Sequence, residues 1–192
     1  MRLFVAIPLP PDVRLVLAGL SGGVPGAGWL PAENLHLTLR FLGELDDHLF
    51  EDVCHGLSQV GGEAFALELA GVGHFGDRRQ ARVLWAGVRP SEALARLRGR
   101  VERALQNCGL PREERRFHPH VTLARLRGAP VERVGRFFVE HGCYASRPFR
   151  VENFALFSSH PGYGQSVYRA EVEYPLELPT AAAFEPSARR RA

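Results

Sequence analysis

Asn34-Leu35-His36-Leu37-Thr38-Leu39-Arg40-Phe41-Leu42-Gly43 is the stretch on which the fold of this chain turns. Apolar residues recur with a period of two over 35–42, as in a half-buried β-strand, and Gly43 closes the run. Residues i and i+2 of a strand share a face. His36 and Thr38 therefore stand side by side, with Leu37 and Leu39 behind them. A second copy, His120-Val121-Thr122-Leu123, lies in the other half of the chain, where 121–126 reads as a strand. One histidine on an apolar strand is more often structural than catalytic, and threonine packs well in strands. Recurrence of the whole pattern in a comparable place shifts the balance to function.

Outward from the two motifs, strands and helices alternate. The run 2–9, punctuated by Pro8 and Pro10, reads as a strand. Asp12 is placed to cap a helix with a stripe of Val13, Val16, Leu17 and Leu20. The segment 21–28 is rich in Gly and Pro and reads as a loop. A second helix starts at Asp46 or Asp47 and buries Phe50, Val53, Cys54, Leu57 and Val60. Strands follow over 65–72 and 83–88, joined by a polar loop over 76–82. Ser91 caps the most regular helix, with a stripe of Leu94, Leu97, Val101, Leu105 and Cys108, ended by Gly109 and Pro111. A helix over 131–141 and strands over 150–158 and 166–173 complete the pattern. From about Pro179 no apolar period remains, and 179–192 reads as a disordered tail.

The expected fold is thus α+β and bilobal, a single domain over 1–178. Two pseudo-twofold-related lobes of antiparallel sheet carry helices on the outside and an active-site groove between them. Nothing outside the motifs repeats strongly, so the duplication is inferred from the motif pair.

Composition bounds the rest. With 192 residues, 45% hydrophobic and 23% charged, the chain is of soluble globular type. No apolar run approaches the ~18 residues of a membrane span, so no membrane partner is expected. Three widely spaced cysteines, an odd number, argue against a disulfide framework and for a reducing cytoplasm. The net charge is only +3, carried by arginine, and the pI is near 9.0. Arginine forks suit phosphate, although a GC-rich genome would write the same bias. A monomer is the expected state.

Two His-x-Thr pairs brought together supply two imidazoles and two hydroxyls. With an unperturbed pKa near ~6.5, histidine serves as acid or base close to neutrality. One neutral ring can take a proton from water while one protonated ring gives a proton to a departing oxygen. Hydroxyl and imidazolium donors stabilise the charge gathered at phosphorus in the transition state. A strained cyclic phosphodiester would need no metal. By spacing alone the two histidines are interchangeable.

The chain resembles the 2H phosphoesterase superfamily, named for paired His-x-Thr-x motifs. More narrowly it is similar to the bacterial and archaeal RNA 2′,3′-cyclic phosphodiesterases, historically called 2′-5′ RNA ligases. The residues that carry the resemblance are Arg2-Leu3-Phe4-Val5-Ala6-Ile7, the stretch from Asn34 to Gly43, Pro119-His120-Val121-Thr122-Leu123-Ala124-Arg125, and the late strand over 154–158. The resemblance implies hydrolysis of RNA 2′,3′-cyclic phosphate ends to 2′-phosphates without metal or nucleotide cofactor. It implies that His36 is the proton donor, that His120 is the proton acceptor, and that Thr38 and Thr122 hold the phosphate oxygens.

Further candidates follow from the residues. Arg40 falls on the face of His36 and Thr38 by strict alternation. Arg125 falls on the face opposite His120 and Thr122, and would need a bend in the strand to reach the site. Phe41 is a candidate base-stacking residue, and Tyr163 and Tyr168 lie in or beside the loop over 159–165. Two other readings stay open. His118, His120 and His36 could ligate a metal, although each motif histidine is followed at +2 by threonine and neither motif contains an acid. The pair could also bind RNA ends without turnover, or serve 2′-5′ ligation or 2′-5′ oligonucleotide cleavage with the same side chains.

Overall fold

The structure is a computed structural model and describes residues 2–77, 80–162 and 166–177. Tyr163 and the expected tail over 179–192 lie outside the described residues. The architecture is α+β. In chain order the strands are β1 (Arg2–Pro8), β2 (Ala27–Trp29), β3 (His36–Glu44), β4 (Phe65–Leu67), β5 (Leu69–Asp77), β6 (Gln80–Val88), β7 (His120–Leu126), β8 (Phe149–Val151), β9 (Asn153–Pro161) and β10 (Ser166–Pro175). The helices are α1 (Pro11–Ala18), α2 (Asp47–Ser58), α3 (Glu92–Asn107) and α4 (Val131–His141).

Eight strands form one sheet in the order β10-β9-β1-β3-β7-β6-β5, with β2 paired to β7. The two expected lobes are its halves. They meet at a seam between β3 and β7, which are antiparallel and share the register pair Leu37↔Val121. β4 and β8 make a separate two-stranded sheet. One face of the main sheet is closed by helices. Leu3, Val5, Ile7, Leu37, Leu39, Val121 and Leu123 pack there with Leu57 of α2, Leu97 and Val101 of α3 and Phe137 of α4 in one apolar core. The other face carries both motifs.

The helix caps follow the sequence. The Asp46 carboxylate accepts from the Leu49 amide and the Ser91 hydroxyl from the Leu94 amide, each satisfying an orphan donor of the first turn. The first helix departs from expectation. It starts at Pro11 with Pro10 as cap, because proline at the first position is already set to a helical φ and has no N–H to satisfy. Asp12 falls inside the first turn. Val13 and Leu17 are buried while Val16 is 57% exposed, so the apolar face is narrower than its sequence period.

Four boundaries also differ. The expected strand over 65–72 divides at Glu68, β4 pairing with β8 and β5 joining the main sheet. The strand expected over 150–158 divides at Glu152 and then runs on to Pro161. The loop over 76–82 contracts to a hairpin in which Asp77 already pairs with Gln80. The supposed loop over 21–28 ends in β2, where Ala27↔Leu126 and Trp29↔Ala124 pair. Gly26 makes this possible. Its φ is 76°, and a Cβ there would collide with the Arg127 carbonyl, whose own amide donates to the Gly26 carbonyl at 2.9 Å.

Candidate active site

The seam assembles the site. With Leu37 opposite Val121 in an antiparallel pair, His36 faces across to Thr122 and Thr38 to His120. All four side chains lie on the open face, and all four are partly exposed, while Leu37, Leu39, Val121 and Leu123 between them are buried. The result is a local pseudo-twofold, with one imidazole and one hydroxyl from each half of the chain.

Both imidazoles are held in the same way. His36 Nδ1 lies 2.7 Å from the Asn34 carbonyl and His120 Nδ1 2.6 Å from the His118 carbonyl. A carbonyl only accepts, so Nδ1 carries the proton in each ring and Nε2 is left with its lone pair. Burial pushes His36 down to about 4, against the opposing pull of the Asn34 carbonyl, and the His120 and Arg125 charges depress it further. Burial also lowers His120, with the His118 carbonyl opposing and His118 contributing a repulsive charge. Both rings are therefore neutral in the free protein at neutral pH.

Aromatic rings supply that burial. The Phe4 ring stacks on His36 at 4.8 Å and on Phe157 at 5.4 Å, and the Tyr168 ring stands edge-on to His36 at 5.2 Å. Around His120, Phe75 is edge-on at 4.8 Å and Trp85 lies at 6.3 Å. Gly73 leaves the space that Trp85 fills, because a Cβ at that position would collide with the indole. Phe4, Phe157, Asn34, Trp85 and Phe75 are the site residues the sequence did not single out. Phe4 and Phe157 sit in runs where nearly every residue is apolar, so their facing was not readable. The holding atom of Asn34 is a backbone carbonyl, which leaves no side-chain signal at all.

Irregular register explains the arginines. Opposite β1, Thr38 pairs with Ala6 and Arg40 with Val5, so Leu39 is an extra residue. Opposite β6, Thr122 pairs with Trp85 and Ala124 with Leu84, so Leu123 is an extra residue. A β-bulge of this kind reverses the alternation beyond it. Arg125 thereby returns to the face of His120 and Thr122, in agreement with its lowering of His36.

Arg40 moves the other way, and the expectation that it shares the face of His36 and Thr38 is corrected. It turns into the helix layer, 10% exposed, with Nε 3.2 Å from Glu102 Oε2 and Nη1 3.0 Å from Glu113 Oε2. Its Nη2 donates to the Pro111 carbonyl at 2.6 Å. Glu102 is buried on α3 and accepts from the Glu113 amide at 2.8 Å. Arg40 is thus a clamp from β3 to α3 and to the segment leading into His118-Pro119-His120. Phe41, 55% exposed, takes the outward position that Arg125 holds on β7.

Other clusters do not compete. His118 lies edge-on to Trp85 at 4.8 Å, and among the described residues no three His, Cys, Asp or Glu side chains are grouped to hold a metal ion. Ser158 donates to Glu171 and meets His160 Nε2, and Glu171 lies 3.9 Å from that same nitrogen rather than from the far side of the ring, while Ser158 is fully buried. A larger hollow of about 600 Å³ between α2 and α3, lined by Asp52, His55, Arg100 and Arg103, contains neither motif. No helix among the described residues is long and apolar enough to cross a membrane.

Comparison with known proteins agrees with this geometry. Residues 14–161 match the family model of the 2′-5′ RNA ligase superfamily. The chain belongs to that superfamily. A curated relative from Thermotoga maritima, named RNA 2′,3′-cyclic phosphodiesterase, is 32% identical over 183 residues, covering 92% of this chain and 96% of its own. A crystal structure from Thermus thermophilus superposes with a TM-score of 0.78 at 27% identity, covering 94% of this chain and 100% of the other. Escherichia coli LigT in complex with 3′-AMP gives 0.71 at 26% identity, over 91% and 97% of the two chains. Two further curated relatives are matched over only 41% and 56% of their own length.

Proposed function

We propose that this member of the superfamily hydrolyses 2′,3′-cyclic phosphate ends of RNA to 2′-phosphomonoesters by two-histidine acid–base catalysis. The observation that carries the reading is the seam, where two carbonyl-held imidazoles and two threonine hydroxyls share one face about a pseudo-twofold. The name of the Thermotoga maritima relative supports the substrate.

His120 Nε2 takes a proton from water as the oxygen attacks phosphorus. The P–O3′ bond breaks on the opposite side, and O3′ receives the proton of His36 Nε2. Thr38, Thr122 and Arg125 hold the non-bridging oxygens and stabilise the charge that builds there. The division of roles between the histidines follows the family resemblance. Arg125 beside His36 by itself disfavours the charged imidazole, so this role requires the phosphate to be bound. His36 is neutral in the free protein, and the bound phosphodiester supplies the negative charge that lets it hold a proton. With an RNA 5′-hydroxyl in place of water, the same four side chains would join ends through a 2′-5′ linkage, the activity after which the superfamily is called.

The test is an RNA oligonucleotide ending in 2′,3′-cyclic phosphate, incubated with excess EDTA, with the product phosphate mapped. The wild-type protein is expected to give a 2′-phosphate, and His36→Ala and His120→Ala to give none at comparable enzyme. Activity that needs added metal would replace this mechanism by a metal site, and binding without turnover would replace it by a binding module.

A further inference from the structure

A cleft of about 360 Å³ opens off the site at the His36 end, lined by Gly28, Asn34, Arg125, Arg127, Ser166 and Tyr168 among others. It is continuous with the catalytic group. The Asn34 carbonyl holds His36 Nδ1, the Tyr168 ring stands against the imidazole, and the Asn34 side-chain Nδ2 donates to the Ser166 carbonyl at 2.8 Å, fixing one wall. Arg125 on β7 and Arg127 in the bend just past its end are both exposed, Leu126 between them is buried, and both arginines line the cleft. The Arg127 side chain makes no hydrogen bond or ion pair with another described residue, whereas Arg40, Arg89, Arg96 and Arg98 are each paired with a glutamate. Across the pseudo-twofold, the outward position of Arg125 is held by Phe41, so the two ends of the site differ in charge.

We propose that the cleft seats the 5′ side of the terminal nucleotide and that Arg127 binds the phosphodiester joining it to the rest of the RNA. The inference rests on the reading above, in which water attacks from the His120 side. An in-line displacement then leaves the ribose on the His36 side, and the chain attached through its 5′ carbon leads into this cleft. A single exposed guanidinium on a phosphate is a charge-assisted contact, and it discriminates an oligonucleotide end from a free cyclic mononucleotide.

The experiment compares kcat/KM for a ribonucleoside 2′,3′-cyclic monophosphate with a free 5′-hydroxyl and for the corresponding dinucleotide with the same cyclic end. Wild-type protein is expected to favour the dinucleotide by about tenfold or more. Arg127→Ala is expected to remove most of that preference, chiefly through KM, and Arg127→Lys to restore part of it. Equal losses on both substrates, or an unchanged preference, would overturn the assignment. If the wild type turns over neither substrate, the hydrolytic reading fails, and equilibrium binding of the 2′-phosphorylated dinucleotide then decides the cleft. Weaker and less salt-dependent binding by Arg127→Ala sustains it, and identical binding refutes it.

Discussion

β3 and β7 carry the same motif, the same carbonyl-held imidazole and the same extra leucine after the second polar residue, and beyond that point they diverge. On β3 the bulge sends Arg40 into a buried ion-pair network and leaves Phe41 outside. On β7 it buries Ala124 and brings Arg125 out. The symmetry thus covers the two imidazoles, the two hydroxyls and the extra leucine, and ends there. In the proposed reaction, an attacking and a leaving oxygen need similar groups on both sides of phosphorus, whereas a substrate with one ribose needs unlike surroundings.

The largest effect tests the symmetric part. His36→Ala and His120→Ala are each expected to lower kcat by about 10²–10⁴-fold, and the double variant by little more than either. Single-turnover rates on the cyclic-phosphate RNA would measure this, and a large inequality between the two losses would break the equivalence. Next is the asymmetric part. Arg40→Ala removes one of the two arginines on buried Glu102, Arg98 remaining, and is expected to cost about 1.5–3 kcal/mol in urea unfolding. Arg125→Ala, exposed, is expected to stay within about 0.5 kcal/mol of wild type. Equal stability losses would mean that the two bulges do not sort the arginines as described.

Smaller still, Thr38→Val and Thr122→Val are each expected to lower kcat/KM by roughly tenfold, the loss of about one hydrogen bond in the transition state. The finest distinction is in titration. His36 is expected to titrate near about 4 by NMR, and His120 below the ordinary histidine range. Inorganic phosphate should raise the His36 value, because an anion favours the charged ring. The lowered His36 also makes a stability statement. Between about 4 and the unfolded value near ~6.5 the unfolded chain holds more protons. Stability therefore rises with pH across that window and levels off above it. His36→Gln should flatten the slope.

Much of this was legible in the sequence. The motifs could be read because they recur, and α2, α3 and α4 because cap and apolar period agree, as at Ser91 and over 131–141. The bulges could not. Leu39 and Leu123 look like any other strand leucine, and the extra residue is defined only by its neighbours Val5, Ala6, Leu84 and Trp85. Alternation counted through them put Arg40 and Arg125 on the wrong faces. β2 was hidden for a similar reason, since three residues pair with β7 only because Gly26 admits the Arg127 carbonyl.

The atoms that fix both imidazoles belong to the main chain, at Asn34 and His118. In many hydrolases the orienting partner of a histidine is a carboxylate that one substitution deletes. Here the partner has no codon of its own. Replacing the Asn34 or His118 side chain leaves the acceptor in place so long as the backbone keeps its course. The tautomer on which the proposed chemistry depends is therefore insulated from point mutation at the very positions that set it. It can be lost only by changes that bend the chain ahead of each motif.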